Sequence, residues 1–225
     1  MATGLHIRYK KEHHIGQWLF WIVLLGLLVG CGYIAYRYYN TGEMVVPLPV
    51  AGANSAVVEK PVTKAEVAEH KVEPDHPRYL SVNALGVQNA RVLSMGVKPD
   101  NELDTPANIH DAGWYKKSAL PGSGSGALLL DGHNGGPTMD GIFKKAPQLK
   151  SGDTMVIERG DGKKVTYAVK DVSTYTLDDM NKKMGEMTSS AVSGKEGLNI
   201  ISCTGNWVPK YQTYDQRVVV RAVAQ

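Results

Sequence analysis

From Gln17 to Tyr36 the chain carries no charged residue, and Trp18 to Val29 is apolar without interruption. About 20 such residues suffice for a helix to cross roughly 30 Å of hydrocarbon. The stretch is apolar all round, so it has no polar face to turn to water and does not read as a core helix. Trp18 and Trp21 mark one end, and Tyr33, Tyr36, Tyr38 and Tyr39 the other; tryptophan and tyrosine collect at the two membrane interfaces. Arg8, Lys10 and Lys11 precede the segment, whereas after Arg37 no basic residue occurs until Lys60. Positive charge stays on the cytoplasmic side, which predicts a cytoplasmic N-terminus and an extracytoplasmic remainder.

This segment divides the chain. Residues 1–16 are expected in the cytoplasm and 17–39 as a single-pass transmembrane signal anchor. No A-x-A-like cleavage site follows the apolar core. A second reading stays open: Leu28-Val29-Gly30-Cys31 resembles a lipoprotein processing box, in which Cys31 would be lipidated after cleavage. Residues 40–78 are interrupted by Pro47, Pro49, Pro61, Pro74 and Pro77. They predict a semi-extended stalk, with a short helix around Val62 to Val72. Basic residues are scattered, without a stripe interleaved with aromatics, which argues against nucleic-acid binding.

Residues 79–225 have the length of one domain. Short apolar runs alternate with turn signals. Gly126 to Asp131 reads as a buried strand. Thr154–Arg159 and Lys164–Lys170 flank Gly160-Asp161-Gly162 as a hairpin. Leu198–Cys203 and Arg217–Val223 make two more strands, with weaker candidates at Tyr79–Val82 and Ala90–Leu93. Helix signals are few: Gly141–Ala146, and a capped start at Thr176-Leu177-Asp178-Asp179. Many short strands with few helices predict a mainly β fold, a closed or nearly closed barrel.

Only two cysteines occur, Cys31 and Cys203, so neither a disulfide framework nor a cysteine-based zinc site is available. Cys203 closes an apolar strand and emerges at its end, where it reads as an incidental thiol or as a nucleophile. The thiolate is the reactive form. Of the seven histidines, only His110 and His133 lie beyond the stalk. His133 follows a buried strand in Gly132-His133-Asn134-Gly135-Gly136, a strand-end position suited to a cleft and also to a solvated turn. Arg217 opens the last strand. Alternation puts Arg217, Val219 and Arg221 on one face and Val218, Val220 and Ala222 on the other. An arginine there is either a solvated charge or a donor to a substrate carbonyl. Trp207 reads as a pocket wall or as packing, and Asn134 as an orienter of His133 or as turn chemistry.

Taken in order, these residues resemble the bacterial sortases, membrane-anchored cysteine transpeptidases. Gly113-Trp114-Tyr115, Pro121-Gly122 and Asp131-Gly132-His133 resemble that family's W-Y, P-G and G-H stretches. Phe143, Leu149 and Gly152-Asp153-Thr154-Met155-Val156 resemble its F, L and G-D-x-V segment. Ile200-Ile201-Ser202-Cys203 resembles its cysteine strand, and Arg217 stands at its arginine position. The Trp-Tyr and Pro-Gly elements resemble the class E and class F groups. The resemblance implies an eight-stranded barrel. It implies Cys203 as nucleophile, His133 as proton donor to the leaving amine, and Arg217 as substrate-positioning oxyanion donor. Beside that set, Ser202, Asn134 and Trp207 are read from their positions as candidate substrate contacts. No metal-ligating residues and no cofactor are expected, and calcium dependence stays open. The resemblance also implies a sorting-signal peptide of the Leu-Pro-x-Thr-Gly type and an amine acceptor, either a cell-wall precursor or a pilin lysine. Asn199 and Ser202 depart from the family's threonines in the cysteine strand. Two other readings compete: an L,D-transpeptidase, whose S-x-G-C signature is missing here, and a non-enzymatic extracytoplasmic β-module.

Overall fold

The computed structural model describes residues 15–41, 57–99 and 101–225. Helix α1 (Ile15–Thr41) contains the apolar stretch Gly16–Arg37, with a mean hydropathy of 2.2. Its length and composition suffice to cross a membrane, and it runs unbroken past Cys31, which is exposed. Most of the predicted stalk's first part, 42–56, lies outside the described residues.

From residue 57 the chain already packs on the domain. Val58 bridges to Asn108. The Glu59 carboxylate accepts from the N–H groups of Thr138 (2.7 Å) and Met139 (2.8 Å) and from the Thr138 hydroxyl (2.6 Å). Helix α2 (Lys64–Glu69) is shorter than the predicted 62–72. Its start is set by Thr63, whose side chain and that of Glu66 form a capping box. The Tyr79 hydroxyl donates to the Val67 carbonyl, and Arg78 Nε to that of His70 (2.8 Å). Prolines made this stretch look like a spacer, but its polar groups are tied down by tertiary contacts.

The strands are β1 (Pro77–Val82), β2 (Val87–Met95), β3 (Ala112–Tyr115), β4 (Ala127–Gly132), β5 (Thr154–Arg159), β6 (Lys164–Thr176), β7 (Gly197–Val208) and β8 (Thr213–Ala224). They close into a barrel in the order β1-β2-β3-β4-β7-β8-β6-β5. Closure leaves no edge strand to template aggregation. The pairs β2–β3 and β4–β7 are parallel and the others antiparallel. The predicted hairpin is β5–β6, with β6 continuing through a bulge near Lys170. Helix α3 (Leu177–Lys183) begins where predicted, capped by the Thr176 side chain. The helix expected at 141–146 is instead a turn leading into one 3-10 turn at Ala146–Gln148, where Pro147 lies.

Alternation divides the central strands into two faces. Leu128, Leu130, Leu198, Ile200, Val218, Val220 and Ala222 point into the barrel and join Val82, Trp114, Phe143 and Tyr167 in the main core. On the outside Leu129, Ile201 and Val219 form a second cluster with Met180 and Met187. The connection between β6 and β7 therefore covers the outer face of β4, β7 and β8. Asn199, also outward, fastens that connection: its Nδ2 donates to the carbonyls of Met187 (2.8 Å) and Ser189 (3.0 Å).

Candidate active site

The registers of β4, β7 and β8 bring the three predicted residues to one place. Cys203 pairs directly with Arg217 across β7–β8; directly opposed residues in antiparallel strands have Cβ atoms about 4.5–5.5 Å apart. Gly132 pairs with Ser202 across β4–β7, so His133, the next residue, stands level with Cys203 on the neighbouring strand. All three fall on the outer face, just beyond the methionine-covered cluster. Cys203 is partly exposed, as a strand-end thiol requires for reactivity. Past it a bulge interrupts the ladder between Thr204 and Trp207. Gly205 sits there at φ +82, where a Cβ would collide with the Asp215 carboxylate. That carboxylate instead accepts from Asn206 N–H at 2.8 Å.

The ring of His133 is held by a carbonyl: Nε2 lies 2.7 Å from the oxygen of Pro106. A carbonyl can only accept, so Nε2 carries the proton, and Nδ1 is the nitrogen that gains and loses one. Burial pushes the imidazole below the usual histidine range, against the pull of the Pro106 carbonyl, and the Lys98 cation adds to the depression. Burial likewise pushes the Cys203 thiol up. Arg217 pulls it back down, Asp131 raises it, and the Thr213 side chain and Tyr214 backbone favour the thiolate. Both shifts favour the neutral forms. A thiolate–imidazolium pair is therefore a minority state near neutral pH.

The Arg217 guanidinium donates from Nη1 to the carbonyls of Tyr214 and Gln216 and from Nη2 to the Thr213 hydroxyl, each at 2.9 Å. Three of its five N–H groups are used this way; Nε–H and one N–H on Nη2 remain to meet a carbonyl oxygen. Thr213 thus touches both the arginine and the thiol. Nothing in its sequence neighbourhood, Lys210-Tyr211-Gln212, marks it for that role.

Not every predicted residue reaches the site. Ser202 points into the barrel wall, and its hydroxyl donates to the Gly132 carbonyl at 2.8 Å. It ties the cysteine strand to the histidine strand and does not face a substrate. Asn134 is buried, and its carbonyl accepts from Gly141 N–H at 2.8 Å, closing the loop after His133. Trp207 is buried beyond the bulge, edge-on to Tyr214 with ring centroids 5.3 Å apart. His110, the other histidine beyond the stalk, turns to the Glu59 carbonyl at 3.2 Å. Among the described residues no group of three or more His, Cys, Asp or Glu is arranged to hold a metal ion.

The family model for the sortase domain matches residues 80–225. The chain belongs to the sortase family. It therefore carries the domain of a cysteine transpeptidase family, and the L,D-transpeptidase and non-enzymatic alternatives fall away. Sortase C of Streptococcus pneumoniae superposes with a TM-score of 0.50 at 19% identity, covering 79% of this chain and 80% of that one. A sortase C1 from Streptococcus agalactiae gives 0.50 at 18%, covering 77% and 78%. Sortase C of Clostridium perfringens, solved with the C-terminal cell wall sorting motif, gives 0.47 at 16%, covering 68% and 72%. Likeness to the two streptococcal structures, at these identities, is one of fold, and it matches the closed eight-stranded barrel. No curated protein sequence matches. The expected class E or F likeness rests on the Trp-Tyr and Pro-Gly motifs alone.

Proposed function

We propose that this sortase cleaves a Leu-Pro-x-Thr-Gly-like sorting signal through a thioester on Cys203 and transfers the acyl group to an amine of a cell-wall precursor or a pilin lysine. The observation that carries this reading is the strand register: Cys203 opposite Arg217, and His133 one residue past the Gly132–Ser202 pair. The thiolate of Cys203 attacks the threonine carbonyl carbon, and the carbonyl oxygen takes the negative charge. The free N–H groups of Arg217 donate to that oxygen. As the tetrahedral intermediate collapses, the C–N bond breaks and the departing amine takes the proton from His133 Nδ1. In the second half the incoming amine attacks the thioester, its proton passes to Nδ1, and Cys203 leaves as thiolate. Arg217 does not serve as the acid, because guanidinium keeps its proton.

The minority charged pair sets the pH dependence. Activity rises through the depressed pKa of His133, holds a plateau, and falls through the raised pKa of Cys203. The catalytic domain faces outward from a single-pass anchor, N-terminus inside; the continuity of α1 past Cys31 favours this over lipidation at that residue. The Trp-Tyr and Pro-Gly motifs favour a class E or F member.

The test uses the full chain in detergent micelles with Leu-Pro-x-Thr-Gly peptides and an amine donor, followed by mass spectrometry. The expected result is a transfer product that requires Cys203. Turnover by Cys203→Ala, or no product from any such peptide, would overturn the reading.

A further inference from the structure

Two residues before His133 on the same strand, Asp131 is buried at 8% exposure on the outer face of β4. The reaction outlined above does not use it. Its Oδ2 accepts a hydrogen bond from the Thr105 hydroxyl at 2.6 Å, and it forms no ion pair among the described residues. Thr105 is followed by Pro106, whose carbonyl holds His133 Nε2 at 2.7 Å. The chain of contacts runs from Asp131 to Thr105, through one peptide unit to Pro106, and back to the histidine on Asp131's own strand. Gly113 on β3, directly opposite Asp131, makes the arrangement compact. A Cβ there would press on both the Asp131 carboxylate and the Pro106 ring. The carboxylate, the proline and the strand that carries the histidine are thus packed around one glycine.

We propose that Asp131 is a positioning residue for this sortase: by gripping Thr105 it fixes the Pro106 carbonyl against His133, and so locks the imidazole in the tautomer that leaves Nδ1 to handle the proton. The inference rests on the reading of His133 given above.

A buried carboxyl is costly to keep in a protein wall unless it does something there. Burial pushes this one up to about 7, with Asp104 adding to the rise and Thr105 and Lys98 opposing it. The titratable groups that face it are Asp104 and Lys98 from the connection between β2 and β3, and Cys203 from β7; β3 presents only Gly113. Its negative charge disfavours the thiolate at Cys203. Asp131 therefore has two separable effects, a hydrogen bond that orients His133 and a charge that opposes ionisation of Cys203.

Substitutions separate them. Asp131→Asn keeps an oxygen that accepts from Thr105 and removes the charge. Thr105→Val removes the hydroxyl and keeps the charge. Asp131→Ala removes both. The readout is the tautomer of His133, followed by nitrogen-15 chemical shifts of histidine-labelled full chain in micelles and assigned by difference against His133→Ala. Wild type and Asp131→Asn are expected to hold Nε2–H, whereas Thr105→Val and Asp131→Ala give a mixture of tautomers. Peptide cleavage by the latter two should fall about tenfold, the scale of one hydrogen bond, in kcat rather than KM. Alkylation of Cys203 at neutral pH should be faster in Asp131→Asn than in wild type. An unchanged His133 tautomer in Thr105→Val overturns the proposal, and that variant stands alone if Asp131→Ala fails to fold. The tautomer is read without peptide, so its failure is distinct from failure of the catalytic reading, which full activity in His133→Ala would reveal.

Discussion

The inner and outer faces of β4, β7 and β8 are made by alternate residues of the same three strands, yet they are built on opposite principles. The inner face, with Leu128, Leu130, Leu198, Ile200, Val218 and Val220, is apolar and closed within one core. The outer face carries Asp131, His133, Asn199, Cys203, Arg217 and Arg221, interspersed with Leu129, Ile201 and Val219. Its polar groups depend on partners from connecting segments: Thr105 and Pro106 on one side, Thr213 and Tyr214 on the other, Met187 and Ser189 above. The inner face fixes the registers, and the registers fix which outer residues meet. A one-residue slip in β7 would send Cys203 into the barrel and Ser202 out. Stability and chemistry are thus assigned to different faces of one set of strands and should respond separately to substitution.

The largest separation is expected at Cys203. Cys203→Ala should reduce peptide cleavage to background, since the other cysteine, Cys31, lies in helix α1. The melting temperature should hold, because the side chain is partly exposed at a strand end. A loss of stability equal to that of a core substitution would merge the two faces that the comparison separates.

Next come the two residues beside it. His133→Ala should lower kcat/KM by about 10²–10⁴ and remove the alkaline limb of the pH profile, leaving a rise with ionisation of Cys203. Arg217→Lys should cost less, within about 10²–10³, and keep that limb, because lysine retains the charge but not the fork. A profile that loses its alkaline limb in the arginine variant and keeps it in the histidine variant would exchange their roles.

On the inner face Ile200→Ala should destabilise the domain by about 2–5 kcal/mol, measured by denaturant unfolding of the full chain in micelles. Activity per folded molecule should be preserved. The smallest effect is expected at Asn199, which is outer in position but buried. Asn199→Thr, too short to reach both carbonyls, should cost about 1–3 kcal/mol and raise KM more than it lowers kcat, as the connection above the site loosens. Unchanged KM would mean that this connection does not border the substrate.

What the sequence disclosed follows from the same division. Inner-face alternation is local, so Arg217–Val223 could be sorted into two faces and Leu198–Cys203 read as a buried strand without any tertiary information. Thr176 announced a helix start because capping is local too. The strand β3 was visible only as a Trp-Tyr motif: four residues in parallel pairing with β2 carry no turn signal and little periodicity. Residues 57–76 read as a stalk because their order comes from Thr138, Met139 and Asn108, far away in the chain. The three residues of the candidate site stood out through type and family pattern. Thr213, Thr105 and Asp131 did not, since each matters through one long-range hydrogen bond that no spacing encodes. Ser202 was misplaced for a related reason, its neighbour Cys203 lending it a prominence that alternation denies.

The central claim is that the outer face of β7 presents Cys203 as the acyl acceptor, and it is tested most directly by trapping the intermediate. Full-length chain is mixed with a Leu-Pro-x-Thr-Gly peptide without added amine, quenched in acid, digested, and mapped by mass spectrometry. A peptide acyl group, cut after threonine, should be found on Cys203 and be released by hydroxylamine. Peptide cleavage with the acyl group on another residue, or with no adduct while Cys203→Ala cleaves equally well, would contradict the account.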